Sequence, residues 1–183
     1  MINREKFFAG IRKLFKGKLD KEQVAGITII LDEWDRRGLK DARHLGYMLA
    51  TAKWETAHTM RPVREMGGPR YLRSKRYWPW IGRGLVQLTW KYNYEKASQK
   101  VGVDLIADPD AALEPVVATR IMFDGMAEGW FTGKKLSDYL NSQKTDFINA
   151  RRIINGTDKA REIAAIAQAF TVALIEAKEQ DDA

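Results

Sequence analysis

The amino-acid sequence predicts a mainly α-helical fold of the α+β kind, in which a small β or irregular insertion interrupts the helices in the first half of the chain. Apolar residues recur at helical spacing over most of the sequence. This period is lost from Arg61 to Trp80, which is rich in Arg, Gly, Pro and aromatic residues, as loops and short strands are. Two helical lobes flanking a cleft would fit this segregation. The length of 183 residues predicts a single domain, residues 1–183.

Three helices are predicted ahead of the insertion. The first is amphipathic and carries five apolar residues at helical spacing: Phe7, Phe8, Ile11, Leu14 and Phe15. It could lie on a membrane surface, but packing on its own domain is the preferred interpretation. Asp20 and Gln23 have the spacing of a capping box at the start of the second helix, and Gly38 ends that helix. Asp41 is predicted to cap the third helix.

The chain after the insertion is predicted to return to helix. The stretch GRGLVQLT, residues 82–89, is expected to be extended. Helices follow at Lys91–Lys100, at Pro115–Glu128 with Pro in the first turn, and at Thr145–Ile154. The last helix is predicted from Thr157 or Asp158 to about Lys178, and the polar tail EQDDA is expected to be frayed.

Composition and charge restrict the classes of function. The net charge of +7 favours anionic partners such as nucleic acid, anionic lipid or bacterial wall polymers, or it serves solubility alone. The chain has no cysteine, which excludes disulfides and thiolate metal sites. No segment approaches the ~20 apolar residues of a membrane span. The basic N-terminus lacks an unbroken apolar core, so no signal peptide is predicted.

Glu55 continues an apolar stripe on the third helix. The stripe consists of Leu45, Met48, Leu49 and Ala52. Burial of a carboxylate is costly, and a desolvated carboxyl group that holds its proton can act as a general acid near neutral pH. The alternative is that the helix ends at this point, which would leave Glu55 exposed and paired with Lys53 or Arg61.

Glu65 has a different setting, because it lies in the polar insertion beside Arg64. A neighbouring cation favours the charged form of a carboxylate. Two carboxyl groups in contrasting environments, one protonated and one charged, are what glycoside hydrolysis uses. The alternative for Glu65 is a surface ion pair with Arg64 or Arg61.

The segment GRGLVQLTWKYNY adds three neutral hydrogen-bonding side chains, Gln87, Thr89 and Asn93. Aromatic residues crowd around them, namely Tyr77, Trp78, Trp80, Trp90, Tyr92 and Tyr94. Neutral polar groups beside flat rings suit sugars, which present hydroxyls at the rim and C–H groups on the faces. Single-stranded nucleic acid also stacks on aromatic residues in a basic groove, and the same residues could form core packing. All three interpretations stay open on this segment alone.

Several other site types lack their signatures. The Gly82-Arg83-Gly84 turn has neither the lysine of a phosphate loop nor the third glycine of a dinucleotide fingerprint. His44 and His58 are the only histidines and form no metal-binding spacing, so neither a metal nor a cofactor is expected. No G-x-S-x-G elbow occurs, which argues against an α/β-hydrolase.

Three segments together resemble the family 19 glycoside hydrolases in their bacterial and phage form, which comprises class I-type chitinases and phage or prophage endolysins. The segments are ATAKWETAHTMRPVRE, GRGLVQLTWKYNY and RRIINGTDKAREI, and they occur in the family's order and spacing. The resemblance covers nearly the whole chain and is weakest between Val101 and Asp146. It implies a lysozyme-like fold with a cleft between two lobes, and hydrolysis with inversion at the anomeric centre.

The resemblance implies catalytic roles for three residues. Glu55 matches the general acid in the family's H-E-T motif, Glu65 matches the general base that activates water, and Thr89 would position that water. Trp54 is a departure, because the family usually has His before the acid. The cysteines and chitin-binding module of plant members are also absent, which points to a compact phage-type lysin.

Further residues are implied to bind the substrate. Gln87 and Asn93 match positions of the Q-L-[ST]…N-Y motif, Asn155 matches an asparagine that lines the sugar subsites, and Arg161 matches a downstream arginine near the acid and base. Trp90 and Tyr94, from the aromatic cluster, complete the predicted substrate-binding set.

The sequence therefore predicts an inverting glycosidase that cleaves β-1,4 bonds of an N-acetylhexosamine polymer. Peptidoglycan is preferred to chitin, because a neutral polymer has no need of a charge of +7. The protein is expected to be monomeric, without nucleic acid or stable membrane insertion, made in a bacterial host cytoplasm and active on the cell wall after release. Two alternatives remain: a non-catalytic module for an anionic polymer such as nucleic acid, and an inactive lysozyme-like protein.

Overall fold

A computed structural model describes residues 2–178. Within these residues, seven α-helices carry the fold: α1 (Arg4–Ile11), α2 (Lys21–Arg37), α3 (Ala42–Glu55), α4 (Pro69–Arg73), α5 (Lys91–Val101), α6 (Pro115–Glu128) and α7 (Ala160–Glu176). Two small antiparallel hairpins accompany them, β1 (Val63–Arg64) with β2 (Arg83–Gly84) and β3 (Leu140–Asn141) with β4 (Lys144–Thr145). Short 3₁₀ helices lie at Arg12–Phe15, Pro109–Leu113, Leu136–Asp138 and Asn149–Ile153. The mainly α fold with a small β part is as the sequence predicts.

The ends of α2 follow the predicted local chemistry. The Asp20 side chain accepts a hydrogen bond from the Gln23 backbone N–H at 2.7 Å, and the Gln23 side chain accepts from the Asp20 N–H at 2.9 Å. This reciprocal pair is the capping box. Gly38 ends the helix with φ of 63°, in the left-handed region that glycine adopts without strain. Asp41 caps α3 as predicted, accepting from the Arg43 N–H at 3.0 Å.

The core is built around α3, which packs along α7. Gly46 of α3 lies so close to α7 that an added Cβ would stand 2.9 Å from the Ala167 carbonyl oxygen. Burial of Leu45 and Leu49 from one helix and Phe170 from the other fills the space on either side of this contact. Because α3 ends at Glu55, its packing holds that residue at the end of a rigid element.

The N-terminal helix packs on its own domain, as preferred from the sequence. The ring of Phe7 stacks on Phe170 at 6.5 Å between centroids, and Phe15 meets the same ring edge-on at 6.4 Å. The helix thus buries its apolar face against α7. Among residues 2–178, no helix combines the length and apolarity needed to cross a membrane.

The insertion contains strand β1, which forms the β1–β2 hairpin with the strand just after the insertion, so that Val63 pairs with Gly84 and Arg64 with Arg83. It also contains the five-residue helix α4, which the sequence pattern did not reveal. The hairpin fixes the segment that follows Glu55 against the segment that contains Gln87 and Thr89.

The predicted helix at Thr145–Ile154 is wrong. Thr145 belongs to β4, and only Asn149–Ile153 forms a 3₁₀ turn. The reason is the Asp146 side chain, which accepts from both the backbone N–H (3.0 Å) and the side-chain amide (2.8 Å) of Asn149 and so starts the turn late. The last helix also begins slightly later than predicted, at Ala160. The tail EQDDA, residues 179–183, lies outside the described residues.

Candidate active site

Glu55 is the last residue of α3, and its carboxylate is held by an arginine from the other half of the chain. Its Oε1 accepts from Arg151 Nη1 at 2.6 Å, and the two side chains are 17% and 5% exposed. Arg151 is itself fixed, because its Nε donates to the Asp158 carbonyl oxygen at 3.2 Å. Glu55 is therefore largely buried, as its apolar stripe predicts. Its partner is Arg151, not Lys53 or Arg61.

Arg161 does not take the predicted place near the acid. It is exposed on α7, where it borders a surface depression with Thr145 and Asp146. Within residues 2–178 its guanidinium makes no hydrogen bond or ion pair. The arginine beside Glu55 is Arg151, ten residues earlier in the same RRIINGTDKAREI segment. The prediction for Arg161 is corrected because the 3₁₀ turn at 149–153, and not the start of α7, docks against the end of α3.

Asn155 lies directly after that turn. Its backbone N–H donates to the Arg151 carbonyl oxygen at 3.0 Å, and its side-chain Oδ1 accepts from the Gly156 N–H at 2.9 Å. Its side chain is exposed. The structure thus keeps Asn155 accessible and close to the arginine of Glu55, and its contact with a sugar stays a prediction.

Glu65 follows β1 and is held by neutral donors. Oε1 accepts from the Tyr77 hydroxyl at 2.8 Å and Oε2 from the Gly82 N–H at 3.0 Å. Its own N–H donates to the Gly82 carbonyl oxygen at 2.7 Å. Burial and the hydrogen bond to Glu65 raise the pKa of Tyr77 to about 12, so the hydroxyl keeps its proton and remains a donor. Both oxygens of the half-buried Glu65 carboxylate are therefore oriented.

The cations expected beside Glu65 are engaged elsewhere. Arg64 pairs with Asp110, and Arg61 pairs with Glu22. Side chains of successive strand residues point to opposite faces, so Arg64 and Glu65 diverge although they are neighbours in sequence. Neither predicted ion pair of Glu65 is formed.

Gln87, Thr89 and Asn93 form a chain of hydrogen bonds next to Glu65. Gln87 Nε2 donates to the Val63 carbonyl oxygen at 3.0 Å, Thr89 Oγ1 donates to the Gln87 carbonyl oxygen at 2.8 Å, and Asn93 Nδ2 donates to the Thr89 carbonyl oxygen at 3.0 Å. Gln87 and Thr89 remain partly accessible. Asn93 is 3% exposed and supports Thr89 from inside, and its predicted sugar contact stays a prediction.

The aromatic residues divide into a buried and an exposed group. Tyr94 is fully buried, with its hydroxyl donating to the Ile81 carbonyl oxygen at 2.7 Å and accepting from Arg83 at 3.0 Å, so its predicted substrate contact is wrong. Trp90 is 39% exposed and its ring lies 5.1 Å from Tyr77 and 6.4 Å from Tyr92. These three rings form a partly exposed aromatic surface beside Glu65.

The turn between the two glutamates is strained. Ala57, His58 and Met60 have φ of 48°, 71° and 59°, a region that costs a non-glycine residue roughly 1 kcal/mol or more. Thr56 stabilises it, because its buried hydroxyl donates to the Ala52 carbonyl oxygen at 2.7 Å and accepts from the Met60 N–H at 3.0 Å. No sequence pattern predicts this turn, which sets the course of the chain from Glu55 to Glu65.

Trp54, at the position where the resemblance leads one to expect His, is half-buried and packs against the core. Its ring centroid is 6.4 Å from that of His58, whose Nδ1 lies 2.7 Å from the Nζ of Lys53. Lys53 is 3% exposed, and burial lowers its pKa. Burial and the charges of Lys53 and Lys16 lower the pKa of His58. The described part of the chain holds no group of three His, Cys, Asp or Glu that could bind a metal ion.

The solved structures that share this fold include several chitinases. Chitinase C from Streptomyces griseus HUT6037 has a TM-score of 0.68 at 19% identity, covering 94% of this chain and 76% of that chain. A bacterial family 19 chitinase has a TM-score of 0.63 at 20% identity and covers 94% of both chains. The class IV chitinase from Zea mays has a TM-score of 0.53 at 16% identity, covering 86% of this chain and 82% of that one. The fold is therefore the mainly α, lysozyme-like fold of these glycoside hydrolases.

Sequence comparison specifies the family. Residues 48–138 match the family model described as Chitinase class I. Chitinase 11 of Oryza sativa subsp. japonica is 51% identical over 43 residues, which are 23% of this chain and 17% of that protein. An endochitinase of Arabidopsis thaliana is 30% identical over 127 residues, 66% of this chain and 42% of that protein. The chain spans less than half the length of these curated relatives. The chain belongs to glycoside hydrolase family 19.

Proposed function

We propose that this protein is an inverting glycoside hydrolase that cleaves β-1,4 bonds in a polymer of N-acetylhexosamines. The observation that carries the proposal is the contrast between two glutamates on either side of one turn. Glu55 is buried at a helix end with Arg151, whereas Glu65 is oriented by Tyr77 and Gly82 beside an exposed aromatic surface. A glycosidase uses two carboxyl groups in contrasting environments, and the choice of Glu55 as the acid follows the family resemblance and not the charge of its partner.

In this proposal Glu55 is the general acid, which protonates the oxygen of the leaving sugar. Arg151 fixes the orientation of the carboxyl group and stabilises the carboxylate that remains after the proton has left. That stabilisation increases as the reaction proceeds, which is the kind of interaction that accelerates a chemical step.

Glu65 is the general base, and Thr89 holds the attacking water. Each carboxylate oxygen accepts one hydrogen bond from the protein and has a further lone pair for the water. The Thr89 hydroxyl donates its hydrogen bond to the Gln87 carbonyl oxygen, so it can only accept a hydrogen bond from a water. With Glu65 and Thr89 each accepting a hydrogen bond from it, the water directs a lone pair at the anomeric carbon. As the new C–O bond forms, Glu65 takes one of the water's protons.

The experiment that tests the proposal is hydrolysis of N-acetylglucosamine oligosaccharides with the anomers of the product followed by NMR. An inverting pair of carboxyl groups stands about 6.5–9.5 Å apart and releases the α-anomer first from a β-linked substrate. We expect the α-anomer in the first spectra. Initial release of the β-anomer would mean a retaining enzyme and would overturn the assignment of Glu65 as base.

Chitin is the polymer that the comparisons favour, because the relatives and structural neighbours are chitinases or endochitinases by name. The sequence alone instead leads us to expect peptidoglycan as the substrate. Peptidoglycan remains a second candidate because of the net charge of +7, and with it the proposal that the protein is made in a bacterial cytoplasm and acts on the wall after release. Release of reducing ends from each polymer, by wild type and by Glu55→Gln, separates the two candidates.

A further inference from the structure

The insertion carries an uncompensated cluster of positive charge. We define the basic segment as residues 69–77, which contain Arg70, Arg73, Lys75 and Arg76 and no acidic residue. Within residues 2–178, no carboxylate comes within salt-bridge distance of these four cations. The other arginines nearby are all paired: Arg61 with Glu22, and both Arg64 and Arg83 with Asp110.

The basic segment presents these charges to solvent on an anchored element. Leu72 is buried and fixes α4 to the protein, while Arg70 and Arg73, three positions apart, are exposed on neighbouring parts of the helix surface. Arg76 is exposed as well, and the Lys75 ammonium lies 3.8 Å above the ring of Tyr71. Like charges this close in sequence repel each other, so their clustering lowers stability unless an anion neutralises them.

The basic segment is continuous with the candidate base. It ends at Tyr77, whose hydroxyl donates to Glu65 and whose ring meets Trp90. A polymer that lies over Trp90 and Glu65 would therefore pass close to α4. Arginine guanidinium groups present paired donors that match the two oxygens of a carboxylate. A neutral sugar has no group that requires them.

We infer that the basic segment binds carboxylate groups carried by the glycan chain, so that the enzyme prefers an anionic N-acetylhexosamine polymer to a neutral one. The inference rests on the proposed function, because it concerns the substrate of the same site. Nucleic acid would also attract these cations. The glycan is favoured because Tyr77, the last residue of the segment, donates a hydrogen bond to Glu65, the residue that would activate water. A separate binding site for nucleic acid would not need this connection.

The test compares two soluble polymers with the same β-1,4 N-acetylglucosamine backbone, neutral glycol chitin and anionic carboxymethyl chitin. The quantity measured is the ratio of kcat/KM for the anionic polymer to that for the neutral one. In the variant R70Q/R73Q/R76Q we expect this ratio to fall by roughly tenfold, through KM on carboxymethyl chitin, while kcat on glycol chitin stays unchanged. The matched control R12Q/K13Q/K18Q removes the same charge from exposed N-terminal cations and should keep the wild-type ratio.

Ionic strength supplies a measurement that needs no variant. The wild-type ratio should fall toward that of R70Q/R73Q/R76Q between about 0.02 M and about 0.3 M salt, because screening shortens the range of surface charges. An unchanged ratio in R70Q/R73Q/R76Q would overturn the inference, and so would an equal fall in the control, which would indicate net charge alone. Loss of affinity for a single-stranded oligonucleotide with the ratio intact would assign the segment to nucleic acid instead. If wild type cleaves neither polymer, it is the proposed function that fails.

Discussion

Glu55 and Glu65 are the same residue type, ten positions apart, and the protein supports them in opposite ways. Glu55 is set by helix packing and by one charged partner, Arg151, from the C-terminal part of the chain. Glu65 is held by a short hairpin and by two neutral donors, which are 12 and 17 positions away. The charged contact with Arg151 and the neutral hydrogen bonds to Glu65 therefore give the two carboxyl groups distinct chemical environments. The difference shows that the chemical environment of a carboxyl group depends on its partners and not on the residue type alone.

The largest effects are expected when each carboxyl group is removed in turn. The missing function can then be replaced by a substrate with a good leaving group or by an added nucleophile, which restores activity. Glu55→Gln should lower kcat on oligosaccharides by about 10²–10⁴-fold, as loss of a general acid does. It should recover on an aryl glycoside with a good leaving group, which needs no proton. Glu65→Gly should lose a similar factor and recover instead with azide, which replaces the activated water.

The control for both variants is Glu162→Gln, which removes an exposed carboxylate from α7 and should leave kcat unchanged. If azide rescues Glu55→Gln and the good leaving group rescues Glu65→Gly, the acid and base assignments are exchanged.

The next largest effect is expected from Arg151→Met. Without the guanidinium, the Glu55 carboxyl loses its orientation, and kcat should fall by about 10–100-fold. The free energy of unfolding should also fall, by about 1–3 kcal/mol, because a largely buried carboxylate loses its partner. Both are measured on the purified variant, by oligosaccharide hydrolysis and by urea unfolding.

Two arginines provide controls for Arg151→Met. Arg152→Met alters the exposed neighbour, and Arg161→Met alters the residue that the sequence predicted at this place. Each should keep wild-type kcat within about twofold. A strong loss in Arg161→Met with none in Arg151→Met would reverse the correction made from the structure.

A smaller effect is expected from Tyr77→Phe, which removes one donor from Glu65 but keeps the ring against Trp90. We expect kcat to fall by roughly tenfold or more, because a hydrogen bond to a charged group contributes about 1.5 kcal/mol or more, with KM little changed. Tyr71→Phe, which removes an exposed hydroxyl from α4, is the control and should match wild type. A rise in KM with kcat intact would mean that Tyr77 serves binding and not the base.

The smallest effect concerns the turn that joins the two glutamates. The pKa of His58 is lowered from 6.5 in the folded protein, so below that pH the unfolded chain binds protons more readily than the native one. Stability should therefore be complete above about pH 7 and decline as the pH falls through 6.5. Because His58 is exposed, we expect a decrease in Tm of only about 1–2 °C by pH 5. Thermal unfolding of wild type and His58→Gln between pH 5 and pH 7 measures this decrease. If Tm depends on pH equally in both proteins, His58 is not its cause.

Much of the fold follows from local patterns. The capping box of α2, its end at Gly38 and the start of α6 at Pro115 are as predicted. These features depend on residues within one turn of each other, so the sequence contains all the information they need. The span at 145–154 was misjudged because its apolar residues have helical spacing, while the side-chain bonds of Asp146 and the pairing of β4 compete with helix.

The candidate site was predictable only in part. Both glutamates, Gln87, Thr89 and Trp90 could be selected, because polar side chains in an aromatic segment stand out in the sequence. Buried positions could not be distinguished from exposed ones in WKYNY, which opens helix α5, and only the packing shows that the consecutive residues Asn93 and Tyr94 are internal. Tyr77 could have been selected from the aromatic cluster, but nothing in its neighbourhood indicates a bond to Glu65.

The sequence by itself determined the helical class, both ends of α2 and the start of α6, and it supplied the two candidate carboxyl groups, since each depends on short-range chemistry or on residue type. Only the tertiary structure decided which cation stands beside Glu55, which donors hold Glu65, and which cations of the insertion are left unpaired. Arg151 is 96 positions from Glu55. Their contact exists because α3 and the 149–153 turn dock against α7, and that docking is the sum of many apolar contacts, none of which marks the arginine in advance.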